Sequence, residues 1–458
     1  MSRITQMESP PGPETVFDGR RYLYFGGTSY LGLAGHPEII EAGCGAMREF
    51  GVHSATSRSR IGLMPPVVSV ERLAASFFGT EDSFHFCSGY SSNHVMVSAL
   101  AATASPVHAA KCGNGPNGFN AWMADFKKNA SRYGLKPRVV NSALKGVTYN
   151  SKVIRLDRNQ KSFKLSFKQF YARRVNNSMI NKAKRLEKQY ARLFNRIDKK
   201  YGVPAPIILA IWGLETNYGG YLGYIPTLDA LATLACEGRR GEYFTGELFN
   251  ALRIVEAGDA RADTMQGSWA GAMGQTQFMP AIFLRYATDH DGDGRRDLWG
   301  SREDALASAA NFLRDLGWVK EQRWGREVKL PENFDYQLTG FAHKRSLTDW
   351  AKHGITMPNG QPLPAAEMEA AVIVPSGHNG PAFLAYDNFR VIMGWNRSEA
   401  YAIAVGRLAD RIAGAGTLAQ PPVPAPRLNR EQVTITQRVL NSQGFGAGKE
   451  DGLMGPGT

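Results

Sequence analysis

Cysteine is scarce in this chain: Cys44, Cys87, Cys112 and Cys236 are the only four among 458 residues. They form neither a CxxC pair nor a metal-ligand cluster, which argues against a zinc module and against a dense disulfide framework. The redox compartment stays open, since Cys112 and Cys236 could pair after export. Long apolar runs are absent too; none reaches the ~20 residues needed to cross a bilayer. Acidic residues are scarce in one segment: residues 111 to 200 carry 23 Lys/Arg against 4 Asp/Glu, so the basicity behind the net charge of +13 is concentrated there. With 43% apolar residues the chain can bury a core. Its length leaves room for roughly three domains.

A band this basic points to an anionic polymer, either nucleic acid or the carboxylate-rich bacterial cell wall. Solvated helix faces would give the same composition. Residues 182 to 200 carry Leu186, Tyr190, Leu193, Phe194 and Ile197 at helical spacing among the charges. No aromatic and glycine pattern of a nucleic-acid module interleaves the basic residues, so nucleic acid is not expected as a partner.

Residues 207 to 219 place one carboxylate, Glu215, at the end of an apolar, helix-compatible run and follow it with Thr216-Asn217-Tyr218-Gly219. At 3.6 residues per turn Glu215 falls near Ile211 and Ile208, where desolvation favours the protonated form. A carboxyl still protonated near neutral pH can hand a proton to a leaving oxygen. The competing reading is an amphipathic-helix glutamate turned to water, as most glutamates are.

The chain reads as pieces of different origin. Residues 20 to 100 alternate strand and helix: an extended YLYF run, a helix-like HPEIIEAGCGAMREFG, then VVSVERLAASFFG and a strand-like DSFHFCSG. Ser29-Tyr30-Leu31-Gly32-Leu33 with His36-Pro37, and Phe77-Phe78-Gly79-Thr80-Glu81 leading into Ser88-Gly89-Tyr90-Ser91-Ser92-Asn93, resemble the amino-terminal part of the alpha-oxoamine synthases. These are pyridoxal-phosphate enzymes, and in that family the last stretch lies by the cofactor phosphate. The likeness stops near residue 105, before the part that supplies the Schiff-base lysine, and His53-Ser54-Ala55 departs from the expected glycine-rich pattern. An incomplete α/β fragment over 1 to 108 is expected, with no cofactor of its own.

Residues 95 to 109 are small and apolar and end in a Val107-His108-Ala109 triplet like a signal-peptidase site, with no basic region ahead of it. An ordinary small-residue helix reads equally well. Residues 109 to 415 read as mostly helical, with a mixed region near 325 to 375. The Pro-rich segment 416 to 427 reads as an extended linker. Beyond it, Leu440, Gly444-Phe445, Gly448, Asp451-Gly452 and Gly455-Pro456 resemble the start of a small peptidoglycan-binding domain, truncated at residues 428 to 458.

Further stretches join Glu215. Residues 267 to 280, Gly-Ser-Trp-Ala-Gly-Ala-Met-Gly-Gln-Thr-Gln-Phe-Met-Pro, pack small residues, amides and an aromatic into a turn-rich segment; Tyr386-Asp387-Asn388-Phe389 and Trp395-Asn396-Arg397-Ser398 with Tyr401 add more rings and amides. Sugar sites use such pairs, because rings cover the apolar sugar face and amides bind hydroxyl and acetamido groups. In their order these motifs closely resemble the membrane-bound lytic murein transglycosylase B family, over about Cys112 to Ala415. The resemblance implies a mainly α, lysozyme-like fold. It makes Glu215 the single catalytic acid/base and puts Ser268, Gln277 and Asn396 in the saccharide cleft, with Tyr401 at its border and Tyr218 among the substrate-binding positions. It further implies cleavage of the beta-1,4 bond between N-acetylmuramic acid and N-acetylglucosamine in peptidoglycan, with closure of a 1,6-anhydro ring.

Asp289-His290-Asp291-Gly292-Asp293-Gly294-Arg295 has oxygen donors at loop positions 1, 3 and 5 and glycine at 6, as a calcium loop requires. Position 12 is Gly300, and the family's longer loop closes on an acid three residues later, where Glu303 stands. The expected ligand set is Asp289, Asp291, Asp293, Arg295 and Glu303 around a structural calcium or sodium that catalysis does not need; a plain turn with salt bridges to Arg295 and Arg296 is the alternative. A monomer acting on peptidoglycan is expected, periplasmic by resemblance, although a chain of this sequence without a leader would stay in the cytoplasm. The competing functions are a pyridoxal-phosphate acyltransferase, from the amino-terminal likeness, and a non-catalytic wall-binding protein.

Overall fold

The computed structural model describes residues 14–23, 36–51, 65–80, 83, 112, 116–130, 133–159, 165–424 and 428–452. The stretches 29–33, 53–55 and 88–93 and the triplet at 107–109 lie outside the described residues. Contacts divide the chain into two units, Met1–Pro106 and Val107–Thr458.

In the first unit an antiparallel hairpin joins β1 (Glu14–Phe17) and β2 (Arg20–Leu23). Its turn is Asp18-Gly19, both at positive φ (47° and 70°), the pair that suits a two-residue hairpin. Helices α1 (Pro37–Phe50) and α2 (Pro65–Phe78) follow; α1 starts on proline and stops at Gly51, which takes a positive φ of 78°. None of the residues of α1 is buried, and only Glu71 and Ala75 are buried in α2. Ile39, Ile40, Met47, Leu73, Phe77 and Phe78 are exposed.

The second unit opens with α3 (Phe119–Ala130), α4 (Pro137–Ala143) and α5 (Ser151–Arg158). The basic band supplies α6 (Phe167–Arg174), α7 (Asn177–Gln189) and α8 (Ala191–Tyr201). Its charges are solvated faces, while Leu193, Phe194 and Ile197 turn inward. Helix α9 (Ala205–Thr216) comes next, then the short strand β3 (Ile225–Pro226), α10 (Thr227–Glu237) and α11 (Gly241–Ala257). Strand β4 (Gln266–Gly267) pairs with β3, and α12 (Pro280–Tyr286) and α13 (Arg302–Asp315) follow. A bridge between Cys112 and Cys236 ties the start of this unit to the last turn of α10.

Strands β5 (Gly325–Val328), β6 (Arg345–Ser346), β7 (Glu369–Ile373) and β8 (Ala382–Ala385) form an antiparallel sheet in the order β5-β8-β7-β6, with α14 (Leu347–Lys352) after β6. Alternation along β7 and β8 serves two cores. Ala371, Ile373, Phe383 and Ala385 face the main helical core, and Ala370, Val372, Ala382 and Leu384 face a small core around Trp350. Then come α15 (Asp387–Trp395) and α16 (Glu399–Ile412), which packs along α9.

Residues 416 to 424 form neither helix nor strand and are partly pinned. Glu327 accepts the backbone N–H groups of Ala419 and Gln420, and Arg407 donates to the Gly416 carbonyl. Helix α17 (Arg430–Ser442) is capped by Asn429 and folds against the turn after it, burying Val433, Gln437 and Ala447.

Candidate active site

Helix α9 is apolar on every side, and residues Ile207 to Gly213 are all buried. A helix wrapped by neighbours has no water-facing stripe, which is why its sequence shows no polar face. It begins on proline and ends where Asn217, Tyr218 and Gly219 take three successive positive φ values of 50°, 61° and 73°. Glu215 thus sits in the last turn, half-buried. The helix dipole points its negative end at that turn and opposes a carboxylate there.

The turn after Glu215 is held from several sides. Thr216, fully buried, donates to the Gln275 carbonyl at 2.7 Å and accepts the Gly219 N–H at 3.0 Å. Lys182 donates to the Asn217 carbonyl at 2.8 Å. Tyr218 is buried, its ring edge-on to Trp212 and its phenol donating to the Met179 carbonyl at 3.0 Å; burial pushes the phenol's pKa up. A Cβ on Gly213 would come within 2.7 Å of that ring, so the close approach requires glycine.

Two donors meet the Glu215 carboxyl. Tyr401 donates to Oε1 at 2.6 Å and Trp395 Nε1 donates to the same oxygen at 3.1 Å. Burial raises the pKa of Glu215 above the ordinary carboxylate value, while the two hydrogen bonds and the nearby Arg174 guanidinium pull it partly back. Burial also lifts the Tyr401 phenol well above its usual value, helped by the adjacent carboxyl, so Tyr401 stays a donor. Trp395 packs against both helical cores, with its ring 5.4 Å from Phe278 and 5.3 Å from Phe312.

The facing wall is the turn-rich segment 267 to 280. Ser268 Oγ accepts the N–H groups of Ala270 and Ala272, at 3.3 and 3.1 Å. Gln277, at φ 52°, donates to the carbonyls of Gly274 (3.0 Å) and Leu222 (3.1 Å), which joins this wall to the loop after Glu215. Both side chains shape the wall. Asn396 is exposed at the end of α15, one residue after Trp395. Glu215, Tyr401 and the Gln277 wall are therefore brought together, whereas Tyr218 lies beneath the turn. Trp395 stands in a sequence motif of rings and amides, and its role as a donor to the acid is visible only in the fold.

In the acidic loop, carboxylate oxygens of Asp289, Asp291 and Asp293 lie within 4.8 Å of one another. Asp289 accepts the N–H groups of Gly292 and Gly294, which wraps the backbone around it. Arg295 turns back to Asp293, and Arg296 pairs with Asp259 outside the loop. Glu303 pairs with Arg196 and stands outside the three-carboxylate group. The acid beneath the loop is buried Asp304, which accepts the backbone N–H groups of His290, Asp291 and Asp297.

A helical, lysozyme-like domain with one protected glutamate at the end of an apolar helix is the class that fold and site define. Residues 118–410 match the family described as the transglycosylase SLT domain, and the chain belongs to that family. Membrane-bound lytic murein transglycosylase B of Escherichia coli (strain K12) is 37% identical over 228 residues, 49% of this chain and 61% of that protein. The aligned part thus spans less than two thirds of that relative. SltB3 from Pseudomonas aeruginosa, solved in complex with NAG-NAM-pentapeptide, superposes with a TM-score of 0.71 at 41% identity, covering 74% of this chain and 92% of that one. The Escherichia coli lytic transglycosylase Slt35, solved in complex with calcium, gives a TM-score of 0.56 at 30% identity over 64% of this chain and 92% of that one. A putative 8-amino-7-oxononanoate synthase of Desulfovibrio desulfuricans is 38% identical over 98 residues, 21% of this chain and 26% of that protein.

Proposed function

We propose that the chain is a peptidoglycan lytic transglycosylase in which Glu215 is acid and then base. The observation that carries this reading is the Glu215 carboxyl, raised in pKa by burial and held by two neutral donors, Tyr401 and Trp395. Protonated Glu215 gives its proton to the glycosidic oxygen as the bond to the muramoyl anomeric carbon breaks. The substrate's own acetamido oxygen shields the cationic centre. Ionised Glu215 then takes the proton of the muramoyl 6-hydroxyl, whose oxygen closes the 1,6-anhydro ring. The proton returns to Glu215 and no water is consumed. An ordinary glycosidase needs a second carboxylate, but the charged group acting on Glu215 here is Arg174.

Ser268, Gln277, Asn396 and Tyr218 are proposed as the substrate wall and its support. SltB3 supports a peptidoglycan substrate, since it binds a NAG-NAM-pentapeptide. The Asp289, Asp291 and Asp293 oxygens fit a hard cation such as calcium, which a relative holds. Residues 1 to 108 read as about a quarter of an oxononanoate synthase and carry no function of their own. Residues 1 to 110 contain no lysine, so they supply no lysine side chain for a Schiff base with pyridoxal phosphate. Residues 428 to 458 resemble part of a wall-binding module, and a periplasmic site of action follows from the substrate.

Sacculus digestion by Glu215→Gln tests the assignment. Glutamine keeps the shape but transfers no proton, so turnover should fall by ~10²- to 10⁴-fold while sacculus binding persists. A variant retaining more than about a tenth of parent turnover would contradict the general-acid role.

A further inference from the structure

The loop between Glu215 and β3 carries two aromatic rings that the chemistry at Glu215 does not use. Tyr221 and Tyr224 are 62% and 53% exposed, with ring centroids 6.3 Å apart and planes inclined at 66°. Exposed rings on a floppy loop would mean little, but this loop is strapped down. The Tyr221 N–H donates to the Thr216 carbonyl at 2.9 Å, directly beside Glu215. Gln277 holds the Leu222 carbonyl. At Gly223 the backbone lies so close to Gly267 that a Cβ would meet its carbonyl at 2.0 Å, and φ there is 92°. Ile225 then pairs with Gly267, next to Ser268. Lys152 Nζ lies 4.6 Å from the Tyr224 ring centroid and restrains it from the α5 side.

We propose that Tyr221 and Tyr224 form a saccharide-stacking platform that holds the glycan strand beyond the scissile bond. This rests on the reading of Glu215 as a glycan-cleaving acid. The loop is continuous with both walls of that site, so a strand lying across it passes Tyr221 and Tyr224. A pyranose ring offers an apolar C–H face and hydroxyl edges. A rigid, amphipathic tyrosine ring matches it at little cost in side-chain entropy. The platform adds ground-state binding to long strands and leaves the chemical step alone.

The test measures binding of N-acetylglucosamine oligomers of increasing length, from the dimer upward, to the full chain carrying Glu215→Gln. Tyr221→Ala with Tyr224→Ala should weaken binding of the longest oligomers by about tenfold, leave the shortest unchanged and leave the melting temperature unchanged, because the rings are exposed. Tyr221→Phe with Tyr224→Phe should bind like the parent, since stacking needs the ring and not the hydroxyl. Equal binding of long oligomers by the alanine variant, equal loss at every length, or loss in the phenylalanine variant would each overturn the platform. Sacculus digestion by the chain with Glu215 intact is the separate control: a parent that releases no muropeptides sinks the transglycosylase reading itself, whereas an active parent with unaltered alanine-variant binding sinks only the platform.

Discussion

Tyr401 donates its phenolic proton to Oε1 of Glu215 at 2.6 Å, across 186 residues of sequence. The bond ties the first turn of α16 to the last turn of α9, and these two helices pack along each other through the main core. The donor stays protonated because its own pKa is pushed up, so it steadies the carboxyl without competing for the proton it must transfer.

The pH profile should report this pair. Glu215 acts first in its protonated form, so turnover falls as pH rises through its raised pKa. The hydrogen bonds from Tyr401 and Trp395 lower that pKa against burial. Tyr401→Phe and Trp395→Phe should therefore each reduce turnover and move the alkaline limb to higher pH. A limb that moves to lower pH, or stays fixed in both variants, contradicts the assignment.

The same shift predicts a stability difference. The folded-state pKa of Glu215 lies above the unfolded value of about 4.3, so its contribution is fully present below that pH and is lost as pH rises through the folded pKa. Glu215→Gln should melt with the parent near pH 4 and above it at pH 8, on the order of the unfolded-state range where the carboxyl is neutral and ionised respectively. Melting curves at the two pH values measure this. A variant that is less stable at the higher pH would show that the ionised carboxyl is the favoured form in the fold.

Calcium should raise the melting temperature of the parent, since ligand binding to the folded state contributes about 2.7 kcal/mol at a hundredfold excess over Kd. Asp291→Ala with Asp293→Ala should remove the increment, and chelation should not abolish turnover. Asp304→Ala should lower stability even without calcium, by on the order of 3 kcal/mol, because three part-buried backbone N–H groups lose their acceptor. Glu303→Gln should matter less, since Glu303 is engaged with Arg196. A full calcium response in the double aspartate variant would place the ion elsewhere.

Local patterns made the centre of the site legible. An apolar run ending in Glu215 and followed by polar and glycine positions announced a helix terminus, and the Asp/Gly spacing announced the loop that wraps Asp289. Long-range pairings were not legible. Nothing near Trp395 says that its indole reaches an acid 180 residues earlier, because that contact depends on how α15 is carried across the two cores. The partner of Glu303 depended on the position of α8, and the structural duty of Ser268 and Gln277 on the tight turns between them. Alternation in β7 and β8 was masked because both faces are buried, so the strands read as plain apolar runs.

The most direct measurement of the central claim is the mass of the muropeptides released from purified sacculi digested in heavy-oxygen water. If Glu215 takes the 6-hydroxyl proton as that oxygen bonds to the anomeric carbon, every new muramoyl end is a 1,6-anhydro ring, lighter by one water than a reducing end and free of label. Products that carry the heavy oxygen on a reducing end would show that water attacks the anomeric carbon, and the protein would be a hydrolase.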